Sequence, residues 1–454
     1  MTRCKHDTLW LDVSPHAAEV GFSRPPLVKR KAATTPSGRA TGSTADHARL
    51  ETLYPGPLVL PDDALALDPK EPPQSLRSWT NDKMRNPLTE QRKTIYVIPA
   101  PGVSSQSAFS SMLKGWKIPR VMQKEGAEGR EWPDGDEVKN YLKAFYWPLP
   151  VTVWRECVQF IPWVDDDDKP KVRKTGQLPR YVGLQIRDSV TRITTRRCPD
   201  ETFRRQLSLN DLLDAAIEAL PDDAAAMVLL TDHDLYEDDD DDFCCGRAYG
   251  NSRIAVVSSA RYNPELDESR RIDRAHVWPF SHCAAYVLGQ ACQTAAAATS
   301  AAAAGHAKCR TTTPGPTMPA NKTELSAMAR VIKNTILTDG ESGVNMWLSR
   351  LVRTVSHELG HCLCLDHCSY YACVMQSTAS IAEDLRQPPY LCPVCEAKLA
   401  RAVRDVWHGD DNDQLQCMFD RYDMLAKYCA ARGGTLFAAY GIWLRERIAM
   451  MEFS

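Results

Sequence analysis

The residues of this chain best suited to chemistry lie between Val355 and Cys373, in VSHELGHCLCLDHCSYYAC. His357, Glu358 and His361 form an HExxH spacing, and His367 follows six residues later. The preceding stretch, Val344–Ser356, has Met346, Leu348, Leu351 and Val355 along one face and predicts a helix. On that helix His357 and His361 stand one turn apart, about 40° around the axis, so both imidazoles approach one metal ion. Glu358 is offset by about 100° from His357, which places it beside the metal as a base for metal-bound water. If the helix ran on, His367 would lie about 240° around and roughly 9 Å along from His361, facing away. The chain must therefore leave the helix near Cys364 and double back for His367 to serve as third ligand. Three neutral imidazoles leave zinc its double positive charge and one open position, which lowers the pKa of a bound water to about 7. Glu358 would take the proton and later return it to a leaving amine.

A second cluster follows at once. Cys368 and Cys373 are separated by four residues, Cys392 and Cys395 by two (CPVC). Two pairs joined by an intervening loop match a closed tetrathiolate zinc site, structural because no coordination position stays open. A redox pair at CPVC and ordinary buried thiols are the competing readings. Sixteen cysteines, with no apolar secretory segment at the N-terminus and no long apolar run, favour metal ligation in a reducing, intracellular compartment, cytoplasmic or nuclear. With Lys+Arg 55 against Asp+Glu 58 the chain lacks the basic excess of a nucleic-acid binder, and no membrane partner is expected either.

Around these residues the pattern is mixed. Strands are predicted at 94–101 (TIYVIPAP), 151–161, 181–186, 225–230 and 253–262. Helices are predicted at 137–145, 209–220, 393–408, 413–432 and 434–450. Residues 1–90 read as a largely disordered extension, because Lys29–Asp46 is basic, Ser/Thr-rich and poor in apolar groups. Asp165–Asp168 with the basic run after it, the five aspartates Asp238–Asp242, and an alanine- then Thr/Pro-rich insertion at about 294–322 read as loops.

The segment His357–Cys395 resembles the signature of the archaemetzincin (archaelysin) family: HExxHxxGxxHC, four residues, C-x-M, a spacer, then CxxC. TDHDLY at 231–236, Gly246-Arg247-Ala248, VVSSAR at 256–261 and DRYDMLAKYC at 420–429 extend the resemblance over roughly Lys93 to Cys429. It implies an α+β, metzincin-like fold with a twisted mixed sheet over an active-site helix. The family-like domain would span 91–432, with residues 433–454 a C-terminal helical extension. Catalytic zinc would sit on His357, His361 and His367, with Glu358 as base and Met375 in a turn beneath the metal. A second zinc would sit on Cys368, Cys373, Cys392 and Cys395. The resemblance also implies a metallopeptidase acting on peptides or proteins, and some relatives are classed as aminopeptidases.

One position departs from the pattern: Cys364 stands where the family has glycine. A non-glycine residue with positive φ costs on the order of 1 kcal/mol or more. The departure leaves a second function open, a zinc-stabilised peptide- or protein-binding chain of the same fold with weak or lost turnover. It also makes Cys364 a candidate competing ligand. Elsewhere, Cys244 and Cys245 read as unpaired thiols, and His233, His276 and His282 as structural or exposed. Arg253–Arg261 is either an edge strand for a peptide substrate or a central strand.

Overall fold

The computed structural model describes residues 4–40, 50–122, 132–164, 178–291, 326–335, 343–407 and 411–452. The insertion expected at 294–322 and the charged run 165–174 lie outside these residues. Two mixed sheets and many helices make up an α+β chain. The first sheet contains β1 (Thr94–Ile98), β3 (Val151–Val153), β8 (Ala224–Thr231), β10 (Gly246–Tyr249) and β11 (Ile254–Ser258), in the order β10-β11-β8-β1-β3. Every pairing in it is parallel except β10 with β11. The second sheet contains β2 (Gly102–Val103), β4 (Val158–Pro162), β5 (Tyr181–Ile186), β6 (Ser189–Arg196), β7 (Gln206–Ser208) and β9 (Leu235–Tyr236), with β4 to β7 antiparallel.

Strand β8, AAAMVLLT, is buried along its whole length, as a parallel strand covered on both faces must be. Alternation then sorts its side chains. Ala226 and Val228 share one core with Ala255 and Val257 of β11 and with Leu351, Val355 and Leu359 of the helix Gly343–Cys362. Met227 and Leu229 point the other way, with Ile254 and Val256, into a core filled by Leu212 and Leu213 of the helix Leu209–Ala219 and by the second sheet. That helix starts at Ser208, whose hydroxyl caps the Asp211 amide. The helix Gly343–Cys362 therefore lies flat against one face of the first sheet, and the Tyr146 hydroxyl donates to its Ser356 carbonyl at 2.6 Å.

Three expectations need correction. The single strand expected at 151–161 is two, broken at Trp154–Cys157, so that β3 joins the first sheet and β4 the second. The strand expected at 253–262 ends at Ser258 and gives way to a short 3-10 turn, Ala260–Tyr262. Residues 4–40 and 50–90 are not disordered. Leu53, Tyr54 and Trp79 sit in the main core, and Tyr54 packs edge-on to Trp443 of the helix Thr435–Glu452. Arg30 bonds Glu51 at 2.6 Å, and Arg386 pairs with the buried Asp63. The apolar-poor stretch Lys29–Asp46 concealed large apolar residues elsewhere in this strap, Trp79 among them on the short helix Leu76–Thr80, and such residues suffice to dock it. No helix among the described residues is long and apolar enough to cross a membrane.

Trp79 is 1 % exposed, and its indole N–H reaches the Leu363 carbonyl at 3.0 Å. Trp79→Ala is expected to lower stability by about 3–5 kcal/mol in urea unfolding. A loss under about 1 kcal/mol would mean that the strap is not part of the core.

Candidate active site

The helix Gly343–Cys362 carries His357, Glu358 and His361, and the loop after it returns His367 to them. One ring nitrogen from each of the three histidines lies within 4.8 Å of the others. The Nε2 atoms of His357 and His361 are 3.0 Å apart. Each ring is held from behind at Nδ1: His357 on the Val374 carbonyl at 2.6 Å, His361 on the Leu365 carbonyl at 2.6 Å, and His367 on Glu71 Oε1 at 2.9 Å. An Nδ1–H bonded to an acceptor fixes the tautomer that leaves Nε2 as a lone-pair donor, the usual arrangement of metal-ligating histidine. Burial pushes His357 well below the ordinary imidazole range and His361 down to about 4, with neighbouring histidines adding to both. Both rings are therefore neutral at neutral pH, as ligation of a cation demands. The donor set fits zinc.

The reversal that brings His367 back is a helix C-cap. The Leu365 amide donates to the Gly360 carbonyl at 3.0 Å and the Cys364 amide to that of His361 at 2.8 Å, while Cys364 takes φ 60°. This is the Schellman pattern with cysteine in the left-handed position that glycine usually fills. The strap found to be ordered above braces it. Gln74 donates to the Cys364 carbonyl at 3.1 Å and accepts from the Asp366 amide at 3.1 Å, and the buried Lys398 ammonium holds the Gln74 amide oxygen at 2.7 Å. Glu71, whose other oxygen accepts from Ser377 at 3.1 Å, is kept below the usual carboxylate range chiefly by its hydrogen bond from His367. No signal in the sequence singles out Glu71, because its role exists only through a contact 296 residues away. The Cys364 thiol points to the Met84 carbonyl at 3.7 Å, and Cys364 belongs to no ligand cluster among the described residues.

Glu358 is 8 % exposed, and burial pushes its carboxyl up to about 8 against the pull of Arg247. It faces a cleft of about 900 Å³ lined also by the three histidines, by Gly246–Ala248 of β10, and by Glu237 and Asp240–Asp242. The cleft edge of the first sheet is therefore β10. Of the two roles open for Arg253–Arg261, the structure supports the central strand, since β11 lies between β10 and β8. The aspartate run, expected as a loop, forms part of the cleft wall, and Arg196 holds it by the Asp238 and Asp241 carbonyls. Cys244 and Cys245 also line the cleft, and burial raises both thiols, Cys245 to about 12.

Cys368, Cys373, Cys392 and Cys395 are all buried, with their sulfurs within 4.8 Å of one another. The Cys368 and Cys392 sulfurs are 3.5 Å apart, far beyond a disulfide bond of about 2.05 Å and close to the separation of two ligands on one zinc. Amides of Cys392 and Met375 donate to the Cys373 sulfur at 3.2 and 3.5 Å. The four sulfurs fit a closed zinc site. Met375 is fully buried and packs against the helix at Gly360, where a Cβ would lie 2.5 Å from its sulfur. His233 and His282 are buried and bonded to the Leu113 and Gly56 carbonyls.

Known proteins resemble this chain in sequence and in structure. The model of peptidase family M54 matches residues 328–401, which hold both clusters. Archaemetzincin-2 of Macaca fascicularis is 26% identical over 235 residues, covering 50% of this chain and 52% of that protein. Archaemetzincin of Aeropyrum pernix is 46% identical over 57 residues, 13% of this chain and 31% of that protein. The chain spans about half the length of the archaemetzincin-2 relatives first matched. The crystal structure of archaemetzincin from Methanopyrus kandleri is 17% identical and superposes with a TM-score of 0.30, covering 69% of this chain and 97% of that one.

The strain at Cys364 is measurable. Cys364→Gly is expected to gain about 0.5–1 kcal/mol in urea unfolding, relief of the positive φ outweighing the added chain entropy. Cys364→Val, β-branched in the same conformation, is expected to lose more than about 1 kcal/mol. Equal stabilities for both variants would show that the turn relaxes to negative φ.

Proposed function

We propose that this chain, which belongs to the archaemetzincin family, peptidase family M54, is a zinc-dependent peptidase that cleaves peptide bonds with Glu358 as general base. The observation that carries this reading is the convergence of three back-bonded imidazoles beside a buried carboxyl group in an open cleft. His357, His361 and His367 would hold the catalytic zinc, and Cys368, Cys373, Cys392 and Cys395 a structural one. Zinc in such a three-imidazole site supplies Lewis acidity and brings the pKa of water to about 7.

The chain's own groups do the rest. Glu358 accepts the proton of the attacking water and delivers it to the departing amine. The free edge of β10 offers backbone groups on which an extended peptide can pair. Glu237 and Asp240–Asp242 make that end of the cleft acidic, which suits a substrate's amino terminus and so an aminopeptidase. The metzincin-like arrangement, with a mixed sheet over the zinc-binding helix, belongs to the same reading. The left-handed Cys364 supports a second reading, a zinc-stabilised peptide binder with poor turnover.

A peptide-library cleavage assay on the zinc-loaded chain separates the two. Turnover that falls by about 10²–10⁴ in Glu358→Gln, with metal content unchanged, is the expected result. Turnover unaffected by that change would exclude the mechanism, and a wild-type chain that binds peptides without cleaving them would favour the binder. The role of Glu71 is tested separately, by competition with a chromophoric chelator. Glu71→Ala is expected to weaken zinc binding by about 10- to 100-fold, and an unchanged affinity would show that the carboxylate does not orient His367.

A further inference from the structure

A third group of metal-type donors lies away from the cleft, where the N-terminal arm crosses residues 273–286. The arm is held by backbone pairing: the Trp10 amide donates to the His282 carbonyl at 2.8 Å, and the Ala284 amide to that of Thr8 at 2.8 Å. This pairing sets Leu9 opposite Cys283. It also brings Cys4 to Cys283, with their sulfurs 3.5 Å apart. The pair is too far apart for a disulfide, whose sulfurs stand about 2.05 Å from each other. Two sulfurs on one tetrahedral zinc, each about 2.3 Å from the metal, are about 3.7 Å apart. His276 adds a third donor, and the donor atoms of Cys4, Cys283 and His276 all lie within 4.8 Å of one another.

The state of His276 is the second, independent sign. Its Nδ1 is bonded to Asp273 Oδ2 at 2.7 Å, and its ring stacks on Tyr286 at 4.2 Å between centroids. Its Nε2 is buried and has no hydrogen-bond partner among the described residues. A buried imidazole nitrogen without a partner is costly, and the cost vanishes if the lone pair binds a cation. The carboxylate behind the ring is the device that presents Nε2 as a ligand, as Glu71 does for His367. His6 packs its ring 5.3 Å from His276, with its own Nε2 on the Ala275 carbonyl at 2.7 Å.

We propose that Cys4, Cys283 and His276 form a third metal site, for zinc or a similarly thiophilic divalent cation, which fastens the N-terminal arm to the segment 273–286. Two thiolates and one imidazole neutralise the ion, and the remaining position falls to solvent, because Cys4 is only partly buried. The site is separate from the histidine trio and from the four-cysteine cluster and does not depend on what either one does.

The test is a metal count on the whole chain, purified under reducing conditions with zinc supplied and measured by elemental mass spectrometry. Cys4→Ser and His276→Asn are each expected to carry one zinc fewer than the parent, with unchanged far-ultraviolet circular dichroism, and Cys157→Ser, at an exposed cysteine, to carry the parental number. Because the readout is a difference, it holds whatever the occupancy of the other two clusters. Cobalt substitution gives a second readout, since Cys4→Ser should lose part of the thiolate-to-cobalt charge-transfer absorption. Parental metal content in either variant overturns the proposal. So does an intact-mass measurement that finds Cys4 and Cys283 joined as a disulfide in the reduced preparation.

Discussion

The histidine trio depends on one backbone reversal. A helix that places His357 and His361 side by side carries the next residues away from them at 1.5 Å per step, and only a left-handed residue at the helix end turns the chain back. Cys364 takes that conformation at φ 60°, without the conformational freedom of glycine. Its neighbours hold it there. The carbonyls of Leu363, Cys364 and Leu365 are bonded to Trp79, Gln74 and His361, so the acceptors released at the helix end are satisfied by groups that also define the site. A strained residue persists when its surroundings over-determine it, and here they do so from three directions.

The loop beyond the turn is braced in the same manner. Cys368 directly follows His367, and its amide donates to the Met375 carbonyl at 2.8 Å, while the Met375 amide donates to the Cys373 sulfur. Val374, between them, supplies the carbonyl that orients His357. The segment that carries the third imidazole is thus part of the four-cysteine cluster, and the cluster in turn abuts the start of the helix Pro393–Trp407. Lys398, one turn into that helix, reaches through Gln74 to the reversal itself.

What the sequence discloses and what it hides divide by the range of the interactions. The HExxH spacing, the helix under it, the need to leave that helix near Cys364 and the paired cysteines are all local, and periodicity or metal geometry is enough to read them. Glu71, Gln74 and Trp79 act on the same turn but stand nearly three hundred residues before it, in a segment whose composition resembles a disordered tail. Their importance comes from docking, which a composition average cannot register. The division of 151–161 between two sheets is hidden for a related reason, since each half is a good strand and only the partners differ. The edge of the first sheet falls to β10, GRAY, whose four residues carry little strand signal and gain their place by pairing with β11.

The contact between Glu71 and His367 also orders events in time. A chain that emerges from the ribosome at about 5–20 residues per second makes Glu71 roughly 15–60 s before the histidine it will hold, a delay set by their separation of 296 residues. Through that interval the strap has no turn to grip, and its tryptophan and glutamine wait for partners. Closing so long a loop is entropically costly, though the cost rises only with the logarithm of its length. The bond between Glu71 and His367 is therefore a late one, formed only when a segment made early docks on a turn made long after it.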